Sequence, residues 1–141
     1  MPLSIALPIR TILWPLVGAA TILVLGRLLP NWLRRLAAAG FATLTLVVLS
    51  SIRSVEAVRV VLSWQPINLF RTSPTFYPDG LSLAAGITLA GVTGALVLGI
   101  RGSQPRTPWH PLMLIALAGS LATMLAANLL TLALGLSLIH I

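Results

Sequence analysis

Residues 112–141 form a run of 30 positions without a single Asp, Glu, Lys or Arg. As one straight helix the run would be about 45 Å long, against a bilayer hydrocarbon core of about 30 Å. Two helices joined by a tight reversal fit the length better, and Asn128 in "LAANLLTL" sits where the reversal would fall. The reading is a fourth helix over about 112–127 and a fifth over 128–141. That fifth helix is shorter than the roughly 17 residues needed to cross a bilayer.

Three further apolar runs come before it. They are "TILWPLVGAATILVLGRLL" at 11–29, "LAAAGFATLTLVVLSSI" at 36–52 and "GLSLAAGITLAGVTGALVLGI" at 80–100. At about 1.5 Å per helical residue each comes close to membrane thickness. The first is longer than the apolar core of a signal peptide, and no small-x-small cleavage pattern follows it, so it reads as a retained helix. Pro15 is expected in that helix's first turns, where its missing N–H costs little. The chain is 57% hydrophobic and 8% charged, with a mean hydropathy of +1.02. A soluble domain carries about a quarter charged residues. The fold class expected is therefore all-α integral membrane: a polytopic bundle of four complete transmembrane helices and a truncated fifth, in a single domain over 1–141.

The formal net charge of +7 does not point to nucleic acid. All nine cations are Arg, at 10, 27, 34, 35, 53, 59, 71, 101 and 106, and they lie between the apolar runs. Charge so placed sets membrane topology, whereas a nucleic-acid footprint needs a continuous basic patch. The short connections carry Arg34, Arg35, Arg101 and Arg106, with Arg27 at the edge, which favours an external N-terminus. "PNWLRR" at 30–35 reads as a basic turn with an interfacial Trp32. "RGSQPRTPWHP" at 101–111 reads as another turn, where Trp109 and His110 mark a membrane edge. The long connection, 53–79, contains "VRVVLSW", which is compatible with strand or helix, and then Pro66, Pro74 and Pro78. Cysteine is absent, which excludes disulfides and thiol chemistry. With two separated His and two separated acids, no cofactor or metal site is expected in this chain.

The only acids are Glu56 and Asp79. Asp79 precedes the third run, with Ser82 three residues on, and is expected to cap that helix rather than relay protons. Gly86, Ala90, Gly94 and the neighbouring small residues are expected to let helices approach closely, with Ala90-x-x-x-Gly94 a small-xxx-small pair. Asn128 is expected at the reversal or in an interhelical hydrogen bond. His140 is the one ionisable side chain of the last run.

"DGLSLAAGITLAGVTGALVL" (79–98), followed by "WHPLMLIALAGSLATMLAANLLTL" (109–132) and preceded by two apolar runs, resembles the N-terminal portion of one family. It is that of the antiporter-like membrane subunits of respiratory complex I, the NADH-quinone oxidoreductase. Related membrane-bound hydrogenases and multisubunit sodium/proton antiporters belong to the same family. The resemblance implies a "DGLS" start to the third helix and a fifth helix beginning at "ANLL". It also implies membrane subunits, protons and the lipid bilayer as partners, a bacterial cytoplasmic membrane as location, and no catalytic site in this chain. The family's fifth helix carries a Glu after a Trp. The matching positions here are Ser137 and Leu136. Either the acid has been lost or the sequence ends artificially. The closing "LSLIHI" resembles translated adapter sequence, so residues 136–141 are expected to be non-native and no role is placed on Ser137 or His140. A multisubunit cation/proton antiporter and a small non-transporting scaffold or assembly protein stand as alternatives.

Overall fold

The computed structural model describes residues 3–26, 28–52, 60–61, 75–99 and 109–140. Arg27, Arg53, Glu56, Arg59, Trp64, Pro66, Phe70, Arg71, Pro74, Arg101 and Arg106 lie outside the described residues. Five helices are present: α1 (Leu3–Leu25), α2 (Asn31–Ser51), α3 (Gly80–Gly99), α4 (Trp109–Met124) and α5 (Leu129–Ile139). Two short strands, β1 (Val60–Val61) and β2 (Thr75–Phe76), pair antiparallel with Val60 opposite Phe76. The "VRVVLSW" segment is thus extended at 60–61.

Helices α1 to α4 form an antiparallel bundle. Each packs on the next in sequence, α4 closes back onto α1, and α5 lies along α4. Among the described helices, α2 (21 residues) and α3 (20 residues) have the length and apolarity to cross a membrane. The 9–25 part of α1, all of α4 and all of α5 are apolar but shorter. The expected four complete spans are therefore matched in crossing length by two. Helix α4 stops at Met124 rather than 127 because Leu125–Ala127 leaves the helix to pair with β2. Helix α1 starts at Leu3, ahead of the expected 11, so Pro15 lies in its interior and is buried. The backbone penalty of an interior proline is met there by packing.

The basic turn expected at 30–35 is instead the first turn of α2. Pro30 takes the N-cap position at φ −63 and ψ 154, and the helix runs from Asn31. That places Arg34 and Arg35 on a helix. The Arg35 guanidinium donates to the Leu98 carbonyl at 2.7 Å, capping the carboxyl end of α3, where the helix dipole favours a cation. Arg34 hydrogen-bonds Asn31.

Small residues set the helix spacings. A Cβ at Gly86 would stand 3.1 Å from Leu121 and 3.6 Å from Leu49, at the junction of α2, α3 and α4. Ala90 is 1% exposed, and Gly94 faces the Ala42 methyl. The two tightest approaches lie elsewhere. On α1, a Cβ at Gly18 would fall 2.5 Å from the Phe41 ring. Between α4 and α5, a Cβ at Gly135 would meet the Thr123 amide nitrogen at 2.8 Å, and one at Gly119 the Gly135 carbonyl at 3.0 Å.

Hydroxyl groups on the helices are satisfied locally. Buried Thr45 donates to the Phe41 carbonyl at 2.8 Å, and Thr93 to the Leu89 carbonyl at 2.8 Å. Exposed Thr88, Ser50 and Ser51 do the same within their own helices. Such back-bonding leaves a helix surface without polar demands on its surroundings. Large apolar side chains cover that surface, with Val24 75%, Leu81 81% and Leu129 84% exposed.

Two of the three atoms nearest a Cβ at Gly135, the Thr123 amide nitrogen and the Ala122 carbonyl carbon, are backbone and cannot rotate away. Gly135→Ala is expected to part α4 from α5 and cost about 1–3 kcal/mol, the usual range for overpacking. Gly40 is exposed on α2 with nothing within 4 Å of a built Cβ. Gly40→Ala should be neutral or stabilising by up to about 1 kcal/mol. Unfolding both variants in mixed detergent micelles measures the contrast.

Candidate functional site

Two helix starts lie at one end of the bundle: α3 at Asp79 and α5 at Asn128. The segment containing β2 lies between them. It crosses the α4–α5 corner antiparallel, with Phe76 opposite Ala126. The Tyr77 amide donates to the Leu125 carbonyl at 2.9 Å, and the Ala127 amide to the Thr75 carbonyl at 2.9 Å. Phe76 and Leu125 form a small apolar core beneath, against Ile9 and Ile12 of α1.

Asn128 is the N-cap of α5, with φ −146 and ψ 164. Its Oδ1 accepts from the Thr131 amide at 2.9 Å and from the Thr131 hydroxyl at 2.6 Å. Its Nδ2 donates to the Thr75 hydroxyl at 3.3 Å, and the Thr75 amide donates to the Thr131 hydroxyl at 2.8 Å. These bonds close a ring through the Asn128 and Thr131 side chains and the Thr75 hydroxyl and backbone amide, with Thr75 and Thr131 buried at 4% and 1% exposure. Asn128 thus sits at the reversal, and its tertiary hydrogen bond reaches the strand residue Thr75 rather than another helix.

Asp79 stands outside this ring, exposed at the start of α3. The Ser82 amide donates to Asp79 Oδ1 at 2.6 Å, and the Asp79 amide donates back to the Ser82 hydroxyl at 3.0 Å. This is a reciprocal capping box with Ser in the place usually taken by Glu or Gln. The Ser82 hydroxyl first, and its amide second, hold the Asp79 carboxyl below its usual pKa. Asp79 also borders a shallow depression of about 380 Å³ with Tyr77, Met124, Ala126 and Ala127.

The other singled-out residues are not brought to this corner. Gly86, Ala90 and Gly94 are buried along α3, in helix packing. Ser137 is exposed and donates to the Leu134 carbonyl at 2.8 Å; His140 is exposed with Nδ1 2.8 Å from the Leu136 carbonyl. Among the described residues, no group of three His, Cys, Asp or Glu gathers as a metal site would need. The ring partners Thr75 and Thr131 escaped sequence reasoning. Thr131 had a signal, since Asn-x-x-Thr is a capping spacing. Thr75 had none, because it comes from a Pro-rich connection more than fifty residues away in sequence.

No protein-family model matches the chain, and no curated protein matches it. What the geometry defines is a mostly helical chain with two helices able to cross a membrane and one pinned polar corner.

Two tests follow from the corner. Asn128→Ala removes the cap of α5 and the Asn128 bonds to the Thr75 and Thr131 hydroxyls, with an expected cost of about 1–3 kcal/mol; hydrogen exchange at the Thr131 and Leu132 amides should report it. For Asp79, a depressed folded pKa means the cap is intact above the ordinary aspartate value of about 3.9 and is lost as pH falls through the lower folded value. The Ser82 amide resonance should titrate below 3.9, and Asp79→Asn should abolish that titration.

Proposed function

We propose that the chain is a multi-pass membrane protein supplying the first helices of an antiporter-like subunit. It contributes there to proton translocation in a proton-pumping NADH-quinone oxidoreductase or related complex. The observation that carries this reading is the meeting of its two motifs. "DGLS" and "ANLL" lie about 45 residues apart in sequence, yet Asp79 caps α3 and Asn128 caps α5 at one corner, joined through Tyr77 and Leu125.

The surface supports a bilayer location. Exposed Leu, Val and Trp side chains surround the helices, and exposed apolar area on that scale marks contact with lipid or partner subunits. Hydroxyls that bond to their own helix carry no cost in hydrocarbon. Under this reading the Arg-bearing end of the bundle faces the cytoplasm. The role of these helices is structural within the pump: they hold the α4–α5 corner and present apolar faces to the remaining helices. The proton-handling charges belong to other parts of such a subunit, and Ser137 does not replace them.

The test is a tagged chain expressed from its own gene cluster and resolved by native electrophoresis. Co-migration with NADH-quinone oxidoreductase activity and its iron–sulfur subunits is the expected result. Co-migration with small antiporter subunits instead would move the chain to a cation/proton antiporter. A discrete species containing this chain alone would leave the scaffold alternative standing and discard the pump reading.

A further inference from the structure

At the opposite end of the bundle the described residues include cations with no acid beside them. Arg34 and Arg35 lie in the first turn of α2, and His110 in the first turn of α4, close enough to feel both guanidinium charges. All three side chains are half-buried. Of the two acids in the chain, Asp79 caps α3 at the far end, and Glu56 follows the far end of α2 in sequence. Among the described residues, Arg34 spends one Nη donor on Asn31 and Arg35 one on the Leu98 carbonyl. The Nε of Arg34 is buried with no hydrogen-bond partner among them. A buried guanidinium N–H without an acceptor is costly, and a guanidinium offers five donors suited to phosphate oxygens.

An apolar groove opens at the same end of α4. It holds about 220 Å³ between α4 and α5 and is lined by Trp109, Leu112, Met113, Ala116, Leu138 and Ile139. Trp109 and Trp32 are exposed here, 39% and 62%, as interfacial aromatic rings are at headgroup depth. Cations with no acid beside them among the described residues, next to an apolar groove, match an amphiphile with an anionic head.

We propose that this end binds one anionic phospholipid. Its phosphate is held by Arg34, Arg35 and an N–H of His110, and one acyl chain lies in the α4–α5 groove. A lipid matches better than an acidic protein because its anionic head and acyl chain suit the cations and the apolar groove in turn, and because the bilayer supplies phosphate at this depth. The site requires only that the helices sit in a membrane. It does not rest on the proton-translocation reading, and its test does not measure transport.

The experiment uses the full chain reconstituted in nanodiscs of mixed phosphatidylglycerol and phosphatidylcholine, released into detergent and weighed by native mass spectrometry. One phosphatidylglycerol retained in preference to phosphatidylcholine is expected. The double variant Arg34→Gln, Arg35→Gln should lower that preference roughly thirtyfold, as two basic side chains near a membrane surface would. Arg34→Lys with Arg35→Lys keeps the charge and should retain most of it, which separates binding from any folding defect of the Gln pair. Ala116→Phe fills the groove without altering charge and should weaken retention of the long-chain lipid. Equal retention of both lipids by the unaltered chain would overturn the proposal. So would an unchanged preference in the Gln pair, or inorganic phosphate displacing the lipid at millimolar concentration without regard to Ala116→Phe. Preferential capture of polyglutamate over phosphatidylglycerol would assign the cluster to an acidic protein surface and overturn it as well.

Discussion

Turning the chain between α4 and α5 opens a set of backbone amides and carbonyls in a place lined by Phe76, Leu125, Ile9 and Ile12. Buried backbone groups must be paired, and this corner pairs them with a strand borrowed from the α2–α3 connection. Tyr77 and Ala127 exchange the backbone bonds, while Thr75, Asn128 and Thr131 close the ring. Much else depends on this arrangement. It fixes where α4 stops, where α5 begins, and how the segment leading into α3 is held, so that Asp79 is delivered to the first turn of that helix.

Away from the corner the bundle is held by shape. Few side chains have strong polar partners across helices, so close approach has to supply the contact. Gly18 under Phe41, Gly86 under Leu121 and Leu49, and Gly119 against Gly135 each admit a neighbour that a methyl group would push away. Threonines at 45 and 93 sit buried in the same surfaces and turn their hydroxyls onto their own helices. The result is a set of smooth, self-satisfied rods, which is what helices need when the surroundings offer no hydrogen bonds.

Charge is divided between the two ends. Asp79 and the polar ring occupy one end; Arg34, Arg35 and His110 occupy the other, with interfacial Trp residues beside them. The Arg35 contact to the carboxyl end of α3 offsets part of this charge through the helix dipole.

The helical class, the rough position of every helix, the cap expected at Asp79 and the reversal expected at Asn128 were legible in the sequence, because each rests on local chemistry: apolar run length, and a polar side chain at a helix boundary. Sequence patterning misplaced the start of α1, where Pro15 and Arg10 looked like boundary residues, and of α2, where Arg34 and Arg35 looked like loop charges. Both misplacements have one cause, since helix ends are set by what the flanking residues pack against, which composition does not reveal. The Gly119–Gly135 crossing and the Thr75–Asn128–Thr131 ring were decided by tertiary structure alone. The ring joins Thr75 to Thr131 across 56 positions of sequence, and a hydrogen bond at that separation forms only once the helices between have packed and brought the two segments to the same corner.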